Sequence, residues 1–413
     1  MRHSLDPEAY NIYSLAIDLA FHAEDPAEAW AWTELSKARA FQDSLRCSSG
    51  FSRSSVVEEK ELQSGVAEHL LPPHQEENSE KGPVFVHWVT TGDTIYMLTR
   101  RKVGEPHSFR PAISYSTVCH WYSDIQDSHD DLSDPDTAEE TLLELMELCR
   151  PLGMPEISIP GELLVLCPTK VLFKIPLHAL QIHGEPMIER NPVVYTYAMS
   201  LSQTLSTHSR RRSQNGFQLV TFGSPTGDTP GGESSAEYLS HLFQGDSMVK
   251  EQASKEAYTT LCSKFDLIHY HGHIRNAHEP RYNVMIFHNQ EELMARDIFT
   301  WDLSPRSPFV CLIGCGSGIE HMVTGDEPTG LIPAHLFAGA ASVVGTLWPI
   351  NDTLSGEAFS RTFYSHLAEE LKLGPANLAR LVQKAVKEIR SRPETCAPYF
   401  WAPFVLHGAW ILE

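Results

Sequence analysis

Paired CxxC spacings are missing from this chain of 413 residues, and its eight cysteines (47, 119, 149, 167, 262, 311, 315 and 396) are scattered. A chain of this length, 42% hydrophobic, can build a real core and needs no disulfide staples. That excludes a small disulfide-built secreted scaffold and points to a reducing compartment. Basic charge is also scarce: 32 Lys and Arg stand against 53 Asp and Glu, a formal net charge of −21. Nucleic acid and anionic membrane are therefore not expected as partners, because both call for a basic surface. The start, MRHSLDPEAY, lacks the basic residues and apolar run of a secretion signal, which places the expected location in the cytoplasm. Long uninterrupted apolar runs are rare too. The longest, LIPAHLFAGAASVVGTLWPI over 331–350, has only His335 as an ionisable group, yet Pro333, Gly339, Gly345 and Pro349 punctuate it and its second half is β-branched. A buried helix followed by a central strand accounts for it better than a membrane span.

What is present falls into three parts. In EDPAEAWAWTELSKARAFQDSL, Asp25 can cap a helix, Pro26 suits its first position and Glu28 completes a capping box. Ala31, Leu35, Ala38, Phe41 and Leu45 then form an apolar stripe, so 1–50 is expected to be a short helical appendage. Residues 51–83 are polar, Ser- and Glu-rich and broken by prolines, the composition of a linker. Residues 84–413 read as one larger domain with an N-terminal half over 84–215 and a second half over 216–413. The first half opens with a hairpin around Gly92 and Asp93, carries a helix over 137–150 and ends in the basic loop STHSRRRSQNG. In the second half, apolar strands alternate with helices, which implies α/β architecture: a mostly parallel sheet covered by helices on both faces, with ligands at the carboxyl ends of its strands.

Three stretches invite chemistry. The loop FGSPTGDTPGGESS joins a strand to a helix, but it holds no lysine and neither a P-loop nor a dinucleotide glycine pattern. It reads as a plain turn with Ser234 and Glu237 as a capping box, and no cofactor is called for. The segment HYHGHIRNAH has four histidines, and His269, His271 and His273 share one face of an extended strand. In FVCLIGCGSG, Cys315 stands where an apolar strand gives way to Gly316, Ser317 and Gly318, while Cys311 lies inside the strand as a small core residue. Glycines there let a substrate backbone approach, and free N–H groups after a nucleophile can stabilise an oxyanion. A histidine at a neighbouring strand end can take the thiol proton and return it to a leaving amine. His273 is the first candidate and His271 its rival; His269 is deeper and structural.

The segments DLIHYHGH, LIGCGSG, GLIPAHLFAGAASVVGTLWPINDT and YFWAPFVLHGAW together resemble the CHAT domain, a caspase-like cysteine peptidase module related to separase. The resemblance covers about 84–413 and is most specific over the last 150 or so residues. It implies a caspase-like sheet and a dyad of His273 and Cys315, with Gly318 matching the motif glycine and Gly314 in place of the usual alanine. It also implies backbone donors at Gly272, Ile274 and Gly316. The family usually has glycine after the catalytic histidine; Ile274 keeps the N–H but would be strained at positive φ. The stretch AWTELSKARAFQDSL resembles the terminal helices that link tetratricopeptide-type repeats to this module, which implies a regulatory protein partner reached through these helices.

Asp352, in LWPINDT, matches an acidic position lining the pocket of such peptidases, where it would favour a basic side chain before the scissile bond. It could equally be the N-cap of the helix that follows. Besides a cysteine endopeptidase acting on protein or peptide substrates, two readings stay open. One is a catalytically weak pseudoprotease or signalling scaffold; the other is a zinc hydrolase built on His269, His271 and His273, with or without His278.

Overall fold

The computed structural model describes residues 7–37, 82–101, 104–127, 135–153, 158–202, 216–323 and 327–413. The expected linker, apart from its last two residues, and the basic loop before Gly216 lie outside the described residues, as do Ala38, Phe41 and Leu45. The described chain divides into two compact units: Met1–Gln126, Met146–Thr207 and Met322–Pro328 in the first, Asp127–Leu145, His208–His321 and Thr329–Glu413 in the second.

In the first unit, helices α1 (Pro7–His22) and α2 (Pro26–Ser36) precede strands β1 (Val84–Thr91), β2 (Thr94–Arg101) and β3 (His107–Phe109). Helix α3 (Tyr115–Asp127) and strands β4 (Leu164–Cys167) and β5 (Val193–Tyr195) follow. The strands run in the order β3-β2-β1-β4-β5, antiparallel from β3 to β1 and parallel from β1 to β5. The expected hairpin is present, with Val84 opposite Arg101 and Thr91 opposite Thr94. Helix α2 begins as expected: the Asp25 carboxylate accepts from the Ala27 and Glu28 amides, with Pro26 in the first turn. Glu28 does not close the capping box, because its carboxylate accepts from Trp32 Nε1 at 2.7 Å. The buried face also differs from the expected apolar stripe. It carries Ala29, Trp30, Thr33 and Ser36 instead of Ala31 and Leu35. The reason is polar pairing that hydrophobic spacing does not register. The buried Lys37 ammonium donates to the carbonyls of Trp88, Cys167 and Pro168 at 3.3, 3.2 and 2.8 Å. Glu34 lies 2.7 Å from His87 Nε2; burial alone would raise its carboxyl, but His87 and the Met199 and Ser200 amides hold it below the usual range.

In the second unit, strand β6 (Leu219–Gly223) leads through a loop into helix α4 (Pro230–Phe243), then strand β7 (Asp246–Val249) and helix α5 (Lys255–Leu261). Strand β8 (Leu267–His271) follows, with a small antiparallel set of β9 (Ile274–Arg275), β10 (Val284–Ile286) and β11 (Glu292–Met294). Then come strand β12 (Phe309–Ile313), helix α6 (Leu331–Phe337), strand β13 (Ser342–Thr346), a π-helical turn over Asp352–Glu357, helices α7 (Ala358–Leu373) and α8 (Leu378–Arg390), and strand β14 (Phe404–Gly408). The sheet order is β14-β13-β12-β8-β6-β7, parallel throughout except for β14 against β13. This is the expected mostly parallel sheet with helices on both faces. Odd-numbered residues of β8 and β12 face α7, as Phe309 stacks on Phe363 and His269 meets Tyr364 edge-on. Even-numbered residues face the other way, where Tyr270 and Phe222 meet Tyr258 of α5, whose hydroxyl lies 2.9 Å from His335 of α6. The 331–350 run is the buried α6 followed by β13, and among the described residues no helix is long and apolar enough to cross a membrane.

Several histidines are buried in this unit as neutral rings. Burial pushes His335 down to about 4 and His407 down to about 3, and holds His269 well below its ordinary value. A group depressed in the folded state binds its proton more readily when unfolded, so its stabilising contribution is complete above the unfolded value and lost as pH falls through the window below it. The melting temperature is therefore expected to fall as pH drops from about 7 to about 5, before most carboxylates titrate. Thermal scans across that range check this; a flat profile would mean that the rings are not held neutral.

Candidate active site

The site is built at the carboxyl ends of β8 and β12. These parallel neighbours pair His269 with Cys311 and His271 with Ile313, and the Gly272 amide extends the ladder to the Ile313 carbonyl at 3.1 Å. In-register residues of a parallel pair point to the same face, about 4.8 Å apart. His273 and Cys315 each lie two residues beyond that last pair, past the ends of the strands. The chain leaves β12 through a tight turn in which Ser317 N–H returns to the Gly314 carbonyl at 3.2 Å. Gly316 adopts φ +66°, as the third residue of a type II turn requires, and Cys315 is the second.

His273 has a 44% exposed side chain, and its Nε2 lies 3.0 Å from an oxygen of Asp228, itself 64% exposed. Asp228 also accepts from Thr226; that bond lowers its carboxyl most, burial opposes it, and His273 lowers it further. Cys315 is partly buried. Burial raises its thiol, the Ile350 amide and its own amide pull it back, and the negative charge of Asp352 raises it further. The resting sulfur is thus held in the thiol form.

His271 is only 3% exposed, and its Nε2 lies 3.0 Å from Asp352 Oδ1. Asp352 Oδ2 accepts from the Gly231 amide at the start of α4 at 2.6 Å. Burial would raise this carboxyl, but His271 and the amides of Gly231 and Gly232 more than offset it. The N-cap of the turn that follows is Asn351, which accepts from the Thr353 and Leu354 amides at 3.2 and 2.8 Å. The capping alternative for Asp352 is therefore corrected: it caps α4, not its own helix, and its side chain remains 27% exposed.

Further corrections concern backbone donors. The Gly272 amide is taken by Ile313, and the Gly316 amide donates to the Trp348 carbonyl at 3.1 Å, so neither is available to an oxyanion. Ile274 is different. It lies extended in β9, not at positive φ, so the expected strain is absent. Because the Ile286 amide donates to the His273 carbonyl, the register directs the Ile274 amide away from β10. Ser234 and Glu237 form no capping box: α4 starts at Pro230, and Ser234, inside it, bonds Glu357 and Arg361. The loop before α4 is more than a turn, since it supplies Asp228 to His273 and Gly231 to Asp352. No sequence motif marked that role; only the loop's place after an apolar strand hinted at it. As for zinc, His271 and His273 direct Nε2 to different carboxylates, and among the described residues no group of three His, Cys, Asp or Glu is placed to hold a metal ion.

A family model, the CHAT domain, matches residues 141–409, well over half of the chain. The chain belongs to the CHAT domain family. Two crystal structures of the Saccharomyces cerevisiae separase–securin complex resemble it with TM-scores of 0.62 and 0.60 at 10% identity, over 94% of this chain and 34% of that chain. This CHAT chain thus spans about a third of the separase chain. The Arg-specific cysteine proteinase gingipain R of Porphyromonas gingivalis aligns at 10% identity with a TM-score of 0.46, over 65% of this chain and 67% of that one. No curated protein matches the chain. The fold is that of the caspase-like cysteine peptidases.

The two departures of this CHAT domain from the family motif adjoin each other. A methyl group on Gly314 would lie 2.9 Å from Ile274 Cδ1 and 2.5 Å from the Gly272 carbonyl oxygen. Glycine before the cysteine makes room for isoleucine after the histidine. Gly314→Ala is expected to cost about 1–3 kcal/mol by overpacking. Ile274→Gly, itself destabilising because a buried side chain is lost, should cost less in the Gly314→Ala background than in the wild type, while the contact with the Gly272 carbonyl remains. A double-mutant cycle of melting temperatures checks the coupling; strictly additive effects would contradict it.

Proposed function

We propose that the chain is a cysteine endopeptidase in which Cys315 is the nucleophile and His273 its general base, with Asp228 orienting the imidazole. The observation that supports this reading is the register of β8 and β12, whose last pair, His271 and Ile313, stands two residues before His273 on one segment and two before Cys315 on the other. In this mechanism the imidazole takes the Cys315 proton and the thiolate attacks the scissile carbonyl carbon. The resulting oxyanion is met by the Ile274 amide, with the Cys315 amide as second donor. The tetrahedral intermediate collapses, the imidazolium gives its proton to the leaving amine, and water then hydrolyses the thioester with His273 again acting as base. Asp228 lies on Nε2, which leaves Nδ1 for the thiol, the reverse of the ring assignment in the serine triad. His271 is the weaker candidate for base, because it is buried under Gly356 and committed to Asp352.

In this reading Asp352 supplies negative charge to a pocket for a basic side chain before the scissile bond, and protein segments are the substrates. Helices α1 and α2 are the surface through which a regulatory protein would act; separase, the fold neighbour, was crystallised with securin. A second reading, a scaffold with little or no turnover, draws on the thiol form of the resting cysteine.

Cys315→Ala is expected to abolish both peptide cleavage and labelling by a thiol-directed probe at this site, with the melting temperature unchanged. No cleavage of any peptide library by the wild-type chain would favour the scaffold instead. Asp228→Asn should lower kcat by about 10²- to 10⁴-fold with little change in KM, as loss of an orienting carboxylate does. Asp352→Asn should cut kcat/KM for substrates with Arg or Lys before the scissile bond by at least about tenfold relative to neutral residues, one charge-assisted hydrogen bond. Profiling on a peptide library measures the ratio, and an unchanged preference would remove Asp352 from the specificity pocket.

A further inference from the structure

Two asparagines outside the family motif bracket the nucleophile turn. Asn283, fully buried, receives the Ala277 amide on its Oδ1 at 2.8 Å and donates to the Ile319 carbonyl at 3.2 Å. It ties the chain after His273 to the far end of the turn. Asn276, three residues after His273, donates from Nδ2 to the carbonyl of Cys315 itself at 3.0 Å. Gly316 fits closely beneath it: a methyl group there would lie 2.6 Å from Asn276 Nδ2.

The position of this bond gives it meaning. Type I and type II turns differ by a flip of the central peptide, here the one joining Cys315 to Gly316. Its two ends are held by different elements, the carbonyl by Asn276 and the Gly316 N–H by the Trp348 carbonyl at 3.1 Å. A flip would break both bonds and reverse the peptide dipole next to the Cys315 side chain. The oxygen of the same amide, Asn276 Oδ1, is buried without a hydrogen-bond partner. A buried unpaired carbonyl costs stability and offsets what the bond to the Cys315 carbonyl contributes, so packing alone gives little reason for asparagine at this position. Its presence calls for a role other than packing.

We propose that Asn276 is a positioning residue for the nucleophile, locking the Cys315–Gly316 peptide in its type II orientation and coupling the histidine-bearing segment to the cysteine-bearing turn. The inference rests on Cys315 being the reactive thiol, as in the peptidase reading above. It acts through the Cys315 backbone and requires no contact with substrate.

The test uses Asn276→Leu, nearly isosteric and without a donor, and Asn276→Ala, in the full chain. Iodoacetamide alkylation of Cys315 is followed by peptide mass spectrometry across pH, with exposed Cys396 as the internal reference. Among the described residues, the ionisable groups that bear on the Cys315 thiol are Asp352 at the π-helical turn and Tyr270 on β8. Neither variant changes any of them. Both variants are expected to move the Cys315 profile up by about one pH unit, a tenfold slower reaction near neutrality, with the Cys396 profile unmoved. Asn276→Leu should do so with a melting temperature close to that of the wild type, since losing the unpaired Oδ1 offsets losing the donor to the Cys315 carbonyl. A Cys315 profile in folded Asn276→Leu that superimposes on the wild type overturns the proposal, as does a shift that Cys396 shares. Alkylation needs no substrate, so a chain that cleaves nothing yet shows the shift would sink the peptidase reading and leave Asn276 standing.

Discussion

The parallel pairing of β8 with β12 is the constraint on which the site depends. Because His271 lies opposite Ile313 and the Gly272 amide donates to the Ile313 carbonyl, the segments that run on to His273 and Cys315 leave the sheet as neighbours. A slip of one residue would send one of the two side chains to the opposite face, since strand side chains alternate. The register is held by burial on both faces: Phe309 and Tyr364 pack on one, Tyr270 and Tyr258 on the other, with the ladder hydrogen bonds between them. The chemistry is thus placed by a core that has no chemical role.

Around this frame the loops do different work. The turn before α4 brings Asp228 to His273 and the α4 amides to Asp352, so a segment without catalytic residue types in a recognisable pattern reaches both ends of the site. The π-helical turn before α7 brings Asp352 to His271 and sets Gly356 against that ring, where a methyl group would lie 2.9 Å from its Cε1. Asn276 and Asn283 fasten the histidine segment to the cysteine turn. Each connection joins residues 30 or more apart in sequence, except that between Ala277 and Asn283.

Burial and charge explain the state of Cys315. A partly buried thiol beside a carboxylate resists ionisation, and the Ile350 amide only partly counters this. In the peptidase reading proposed above, Cys315 would therefore need a base at the moment of reaction, in contrast to sites that store a thiolate at rest. The helical appendage is governed by charge too, though in the other direction. Glu34 and Lys37 lie one turn apart on α2, and both are buried against partners in the same unit, a hydrogen-bonded arrangement that orients the helix more specifically than an apolar stripe would.

Local and patterned features were fixed by sequence alone, because they depend on neighbours along the chain. Apolar runs gave the strands, Asp25 and Pro26 the start of α2, and the turn at Gly92 and Asp93 the hairpin. Cys315 and His273 stood out because each follows an apolar run at a glycine, and the quoted segments carried the family resemblance. The sheet order, the carboxylate partners of His271 and His273, the loss of the Gly272 and Gly316 amides to other carbonyls, and the buried polar face of α2 were decided only by tertiary structure. Those features rest on contacts between residues distant in sequence, and hydropathy spacing records which residues avoid water but not which polar groups find each other once water is gone.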